Sequence, residues 1–142
     1  MKAIIEVARC GSAIRAARQQ IKESEDGKLL NFRLSFESAK SLFSELTPAR
    51  LDLLDTLSKT GPCSVYALSI TAERNYSDVH ADVNRLEELG LIERTEEGQI
   101  SVPFEAVEIV MPLAKAAYRK IFMKLWIFNL KKWHHSARLM TI

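Results

Sequence analysis

An α+β, mainly helical fold is what this sequence predicts, and three observations carry the prediction. Apolar residues recur at helical spacing through most of the chain up to Gly90. One strictly alternating run, Leu30–Phe36, interrupts them as a strand would. Beyond Gly90 the pattern turns to short apolar runs on either side of Gly98, as in a hairpin.

The 142 residues suffice for one compact core with short extensions. Four prolines and five glycines leave little room for long linkers. The net charge of +2 says little, but its distribution is uneven. All 18 acidic residues lie before Leu113, whereas from Leu113 onward there are seven basic residues and none acidic. A mildly acidic body thus precedes a basic tail. Cys10 and Cys63 show no metal-ligand spacing and read as reduced thiols of a cytoplasmic protein. The opening MKAIIEVARCGSA has too short an apolar run, and too much charge, for a signal peptide. No apolar stretch is long enough for a membrane span; even Ile121–Leu130 is broken by Lys124.

The elements follow in order. Ser12–Glu23 is expected to be a helix with Ser12 at its cap and a narrow stripe of Ile14, Ala17 and Ile21 that can pack. In the strand, Leu30, Phe32, Leu34 and Phe36 alternate with polar residues. Glu37–Leu46 is a helix with Ala39, Leu42, Phe43 and Leu46 on one side. Thr47 caps the next, with Pro48 in the first turn, where its missing N–H costs nothing. Leu51, Leu53, Leu54 and Leu57 give that helix a wide apolar face before Gly61-Pro62 stops it. Ser64 caps a short helix bearing Val65, Ala67, Leu68 and Ile70. The polar turn Glu73–Asn75 leads into a helix over Tyr76–Leu89, stopped by Gly90. Leu91–Arg94 and Ile100–Phe104 form the hairpin strands, and Val107, Ile109 and Met111 mark one more strand. Leu113–Leu139 reads as a basic helix.

Helix, short helix, tight turn, helix and hairpin is the order of a winged helix-turn-helix, whose second helix of the pair enters the DNA major groove. That helix needs one face for the core and another carrying small or hydrogen-bonding groups. On the helix 76–89, Val79, Val83 and Leu86 cluster on one side. Ser77, Ala81 and Asn84 oppose them, flanked by His80, Arg85 and Asp78. Asn pairs bidentately with adenine and Arg with guanine. Arg74, Asn75, Tyr76 and Ser77 lie at the helix N-terminus, where the dipole and unpaired N–H groups favour phosphate. Arg94 lies in the wing. The expected DNA-contacting set is therefore Arg74, Asn75, Tyr76, Ser77, His80, Ala81, Asn84, Arg85 and Arg94.

The blocks LTPARLDLL, NYSDVHADVNRLEELGLIER and VPFEAVEIVMPL carry a resemblance. In them Leu46–Leu113 is similar to a family of small prokaryotic transcriptional regulators, MarR-like in their DNA-binding core and often antitoxin-like. The likeness extends more loosely to SFESAKSLFSEL and the N-terminal helix. It implies a homodimer on a palindromic double-stranded operator, with Tyr76, Ser77, His80 and Asn84 at reading-helix positions. It also implies an alternative role, an antitoxin that neutralises a toxin protein and uses DNA binding for autoregulation. The chain departs from the pattern at Thr71-Ala72-Glu73, where relatives carry an Ala-Leu-Gly type of turn. It departs again at Ala81 and Asp82, where a basic residue would strengthen phosphate contact, and in the acidic wing of Glu93, Glu96 and Glu97.

Three segments result: 1–36, a helix and strand expected to dimerise; 37–112, the winged helix-turn-helix; and 113–142, a basic amphipathic helix. The last interleaves Lys115, Arg119, Lys120, Lys124, Lys131, Lys132 and Arg138 with aromatic residues. It suits dimerisation or packing, contact with phosphate or a membrane surface, or a bare extension. His134 and His135 point about 100° apart on a helix, which disfavours metal binding. No phosphate-binding loop or nucleophile motif appears, so no catalysis, cofactor or metal is expected.

Overall fold

The computed structural model describes residues 1–8, 12–27 and 30–113. Strand β1 spans Lys2–Val7, helix α1 Ser12–Glu25 and strand β2 Phe32–Phe36. The two strands are parallel, with Ala3 opposite Phe32 and Val7 opposite Phe36. Parallel neighbours need a crossover, and α1 supplies it. Strand β1 was not anticipated as an element. On its other side it pairs in parallel with β5, Ala106–Val110, so the sheet order is β2-β1-β5. Residues 1–36 thus share a sheet with the strand that follows the hairpin, and Met1–Met111 forms one compact unit. Of the stripe expected to pack on α1, Ala17 is exposed and Ile21 is 60% exposed, while the side chain of Ile14 lies outside the described residues.

Four helices follow. Helix α2, Ala39–Glu45, starts from a reciprocal cap. Ser38 Oγ accepts from the Ser41 N–H (3.1 Å), and Ser41 Oγ accepts from the Ser38 N–H (3.2 Å). Leu42 and Leu46 are buried, but Phe43 is 55% exposed. Phe43 lies about 100° round the helix from Leu42, so this short helix cannot bury both. Helix α3, Pro48–Thr60, buries Leu53, Leu54 and Leu57, and Thr47 Oγ1 caps it by accepting from the Arg50 N–H (3.3 Å). Helix α4, Val65–Thr71, is capped by Ser64 and buries Val65 and Leu68, while Ile70 stays 60% exposed. Glu73, in the left-handed region at φ 53°, turns the chain toward α5, Tyr76–Glu88.

Gly90 ends α5 at φ 79°, and a Cβ there would sit 2.9 Å from the Phe32 ring. Both the turn and the close approach require glycine. Strands β3, Glu93–Arg94, and β4, Ile100–Ser101, then form the hairpin. They are shorter than the sequence suggests, because Leu91 and Ile92 turn inward as core residues and Pro103 has no N–H to extend the ladder. The Cys63 N–H donates to Ile100 O (3.1 Å) and the Ile100 N–H to Cys63 O (2.8 Å), tying the hairpin to the α3–α4 connection.

One core runs through this unit: Ala3 and Ile5 of β1, the leucines of α2–α4, Val79, Val83 and Leu86 of α5, then Leu91, Ile92, Ile100 and Phe104. Each fully buried aliphatic side chain adds about 1.5–3 kcal/mol. Among the described residues no helix is long and apolar enough to cross a membrane. The basic helix expected over Leu113–Leu139 lies outside the described residues, apart from Leu113.

Candidate nucleic-acid interface

Helix α5 has the two faces the sequence predicts. Val79, Val83 and Leu86 are fully buried, while Ser77, Asp78, His80 and Ala81 are exposed and Asn84 and Arg85 are half-buried. Asn75 starts the helix: its Oδ1 accepts from the Ser77 N–H (3.0 Å) and from Ser77 Oγ (3.0 Å). Asn75 is therefore engaged as a cap, and Ser77 turns its hydroxyl proton toward it. The Tyr76 ring lies 5.7 Å from His80 and 6.4 Å from Tyr66 of α4, forming an aromatic row across the N-terminal ends of the two helices.

The expected arginines are engaged with carboxylates. Arg74 Nη2 donates to Asp82 Oδ2 (2.7 Å), and Arg50 Nε of α3 donates to Asp82 Oδ1 (3.0 Å). Arg50 Nη1 reaches the Glu45 carbonyl (2.6 Å) and lies 3.6 Å from the Glu45 carboxylate. Arg85 grips that carboxylate through Nε (2.7 Å) and Nη2 (2.8 Å), and its Nη1 pairs with Glu88. The result is one chain of alternating charge, Arg74–Asp82–Arg50–Glu45–Arg85–Glu88. It joins α2, α3, the turn and α5, and its formal charge is zero.

Burial opposes ionisation of Asp82, but hydrogen bonds from Arg74 and Arg50 outweigh it and hold the carboxyl below its ordinary range. The hydrogen bond from Arg85 holds Glu45 below the usual carboxylate range, and Glu45 in turn pushes the Arg85 guanidinium further up. Asp82 stands where phosphate binding would favour a base, and its partners explain it: the residue fastens the helix to α3.

A second, smaller group lies toward the wing. Arg94 Nε donates to Glu87 Oε2 (3.0 Å), and its Nη2 donates to Asn84 Oδ1 (3.2 Å). Asn84 Nδ2 in turn lies 3.3 Å from His80 Nδ1. The structure thus brings His80, Asn84 and Arg94 together beside Ser77 and Ala81, and places Arg74 and Arg85 in the charge chain. Sequence reading missed Tyr66, Arg50, Glu45 and Glu87. Their partners are brought to them by folding, with Arg50 32 positions from Asp82 and Glu45 40 from Arg85.

A helix pair joined by a tight turn, whose second helix is half exposed beside a two-stranded hairpin, defines the winged helix-turn-helix class. The family model HVO_A0114 matches residues 45–109. Among solved structures, the chain is similar to the homodimeric winged helix-turn-helix DNA-binding domain Mb0332 from Mycobacterium bovis, a possible ArsR-family transcriptional regulator. Identity is 22% over 51% of this chain and 78% of that one, with a TM-score of 0.38. No curated protein matches.

Proposed function

We propose that the chain is a sequence-specific regulator of transcription that lays α5 in the major groove of double-stranded DNA. The observation that carries this reading is the division of α5. Its Val79–Val83–Leu86 face is wholly buried, while the opposite face presents small and hydrogen-bonding groups beside a hairpin. Ser77, His80 and Ala81 are the proposed base contacts, with Tyr76 and Arg94 flanking them. Reading a palindromic operator calls for two copies. Among the described residues β5 is an edge strand, and Ile109 and Val110 in it and Met111 just beyond it are between 41% and 53% exposed, which supports such pairing. The finer placement, a MarR-like regulator, rests on the sequence blocks quoted above.

The electrostatic share that the described face contributes is small by this reading. Arg74, Arg85 and Arg94 are the described cations at the face and each is paired with a carboxylate, so the salt slope from that surface should stay well short of the roughly −3 that three free cations would give. The test is a mobility shift with a duplex selected from a random pool, comparing the full chain with its Ser77→Ala/His80→Ala variant. Both side chains are exposed, but each gives up a hydrogen bond, to Asn75 and to Asn84, so thermal unfolding is measured alongside and should show a loss of about 1 kcal/mol at most. Affinity for the selected duplex should fall about tenfold or more, with little change on unrelated DNA. Undiminished preference for the selected duplex would overturn the proposal.

A further inference from the structure

The small group at the wing side of α5 has a direction built into it. An arginine side chain has donors only, so the Asn84 atom facing Arg94 Nη2 at 3.2 Å is the amide oxygen. The amide NH2 is thereby turned toward His80 Nδ1, 3.3 Å away on the preceding turn. That NH2 cannot accept, so Nδ1 must carry the lone pair and the neutral ring holds its proton on Nε2. Glu87 fixes the start of the sequence by holding Arg94 Nε at 3.0 Å. The order of donation is Arg94 to Asn84, Asn84 to His80, and His80 Nε2–H outward.

Building on the DNA-binding reading above, we infer that Arg94 and Asn84 are positioning residues that set His80 as a hydrogen-bond donor to the operator. The chemistry of its target follows. An N–H donor matches a major-groove edge showing acceptors, best met by guanine with its adjacent N7 and O6. It rejects cytosine, which presents the N4 amino donor. Asn84 already uses its oxygen and one N–H within the protein, so a bidentate grip on adenine would require breaking the relay. A wing residue thereby influences which base is chosen without touching it.

The test is a selection from a randomised duplex pool with the full-length chain, followed by affinity measurements on single-base variants of the selected site. The His80→Ala variant identifies the position His80 reads, as the one whose preference disappears. At that position the wild type should favour guanine over cytosine by about fivefold or more, the value of one well-made hydrogen bond. In Arg94→Ala the preference at that same position should fall below about twofold, while preferences elsewhere persist. Should Arg94→Ala weaken all sequences alike and leave that position selective, Arg94 is a plain phosphate contact and the relay is refuted. Selection of cytosine there would refute it as well. If the wild-type chain enriches no sequence at all, the DNA-binding reading fails and this inference with it.

Discussion

Replacing Asp82 with Asn keeps the shape of the side chain and removes its charge. In the wild type the carboxylate accepts from Arg74 at 2.7 Å and from Arg50 at 3.0 Å, with its side chain 16% exposed. An amide retains one acceptor and turns its NH2 toward the other arginine, setting donor against donor. Hydrogen bonds to charged groups contribute about 1.5–3 kcal/mol each, and partial exposure of both arginines favours the lower part of that range. Losing one bond and opposing two donors therefore costs about 2 kcal/mol, or roughly 6–10 °C in Tm for a chain of this length. Thermal and urea unfolding of both proteins measure it. The pH dependence has a fixed sign. The folded carboxyl titrates below its unfolded value of about 3.9, so its stabilisation is complete above that pH and is lost as pH falls through the folded value. The stability gap between wild type and Asp82→Asn should hold at neutral pH and shrink below about pH 4. Operator affinity should fall, because the reading helix loses its fastening to α3. A different outcome follows if Asp82 is simply a misplaced negative charge at the phosphate-facing surface: the variant binds DNA more tightly and unfolds at the same temperature. That result would refute the role assigned to the charge chain.

Three further substitutions probe two separate features. Gly90→Ala combines left-handed strain with a Cβ 2.9 Å from Phe32, and should cost more than about 2 kcal/mol. Gly98→Ala meets nothing within 4 Å and should cost only about 1 kcal/mol of strain, so urea midpoints should separate the pair. Arg85→Ala should lower the unfolding midpoint and leave the salt slope of DNA binding unchanged, because Arg85 is spent on Glu45 and Glu88; a slope reduced by about one would return it to the phosphate contacts.

Local chemistry made much of this molecule readable in advance. Thr47-Pro48, Ser64 and Gly61 bound α3 and α4 where capping rules place them, and the two-faced pattern of α5 emerges directly from 3.6-residue periodicity. Alternation in Phe32–Phe36 and in Ala106–Val110 revealed two strands. What stayed hidden depends on non-local partners. In β1, Ile4 interrupts the apolar-polar alternation of Ala3, Ile5 and Val7, and the strand's neighbours begin at Phe32 and Ala106. No turn residue announces such parallel pairing. The charge chain was hidden for a similar reason, since Asp82 and Arg85 look like solvent-facing helix residues until α2 and α3 come alongside. The candidate site was accordingly legible in position but less so in role. The sequence locates the helix, while only the folded arrangement separates the arginines that fasten it from the residues left exposed.

The pairing of β1 with β5 also bears on how the chain acquires its structure. Lys2 sits opposite Ala106, so the central strand keeps one open side until more than a hundred residues have been made. Contacts among α3, α4 and α5 are local by comparison and form without that long closure. On the ribosome, α3, α4 and α5 can collapse first, with the sheet zipping last around β1. A chain halted before residue 106 would carry a formed α5 beside an unfinished sheet, with one backbone edge of β1 available to other chains.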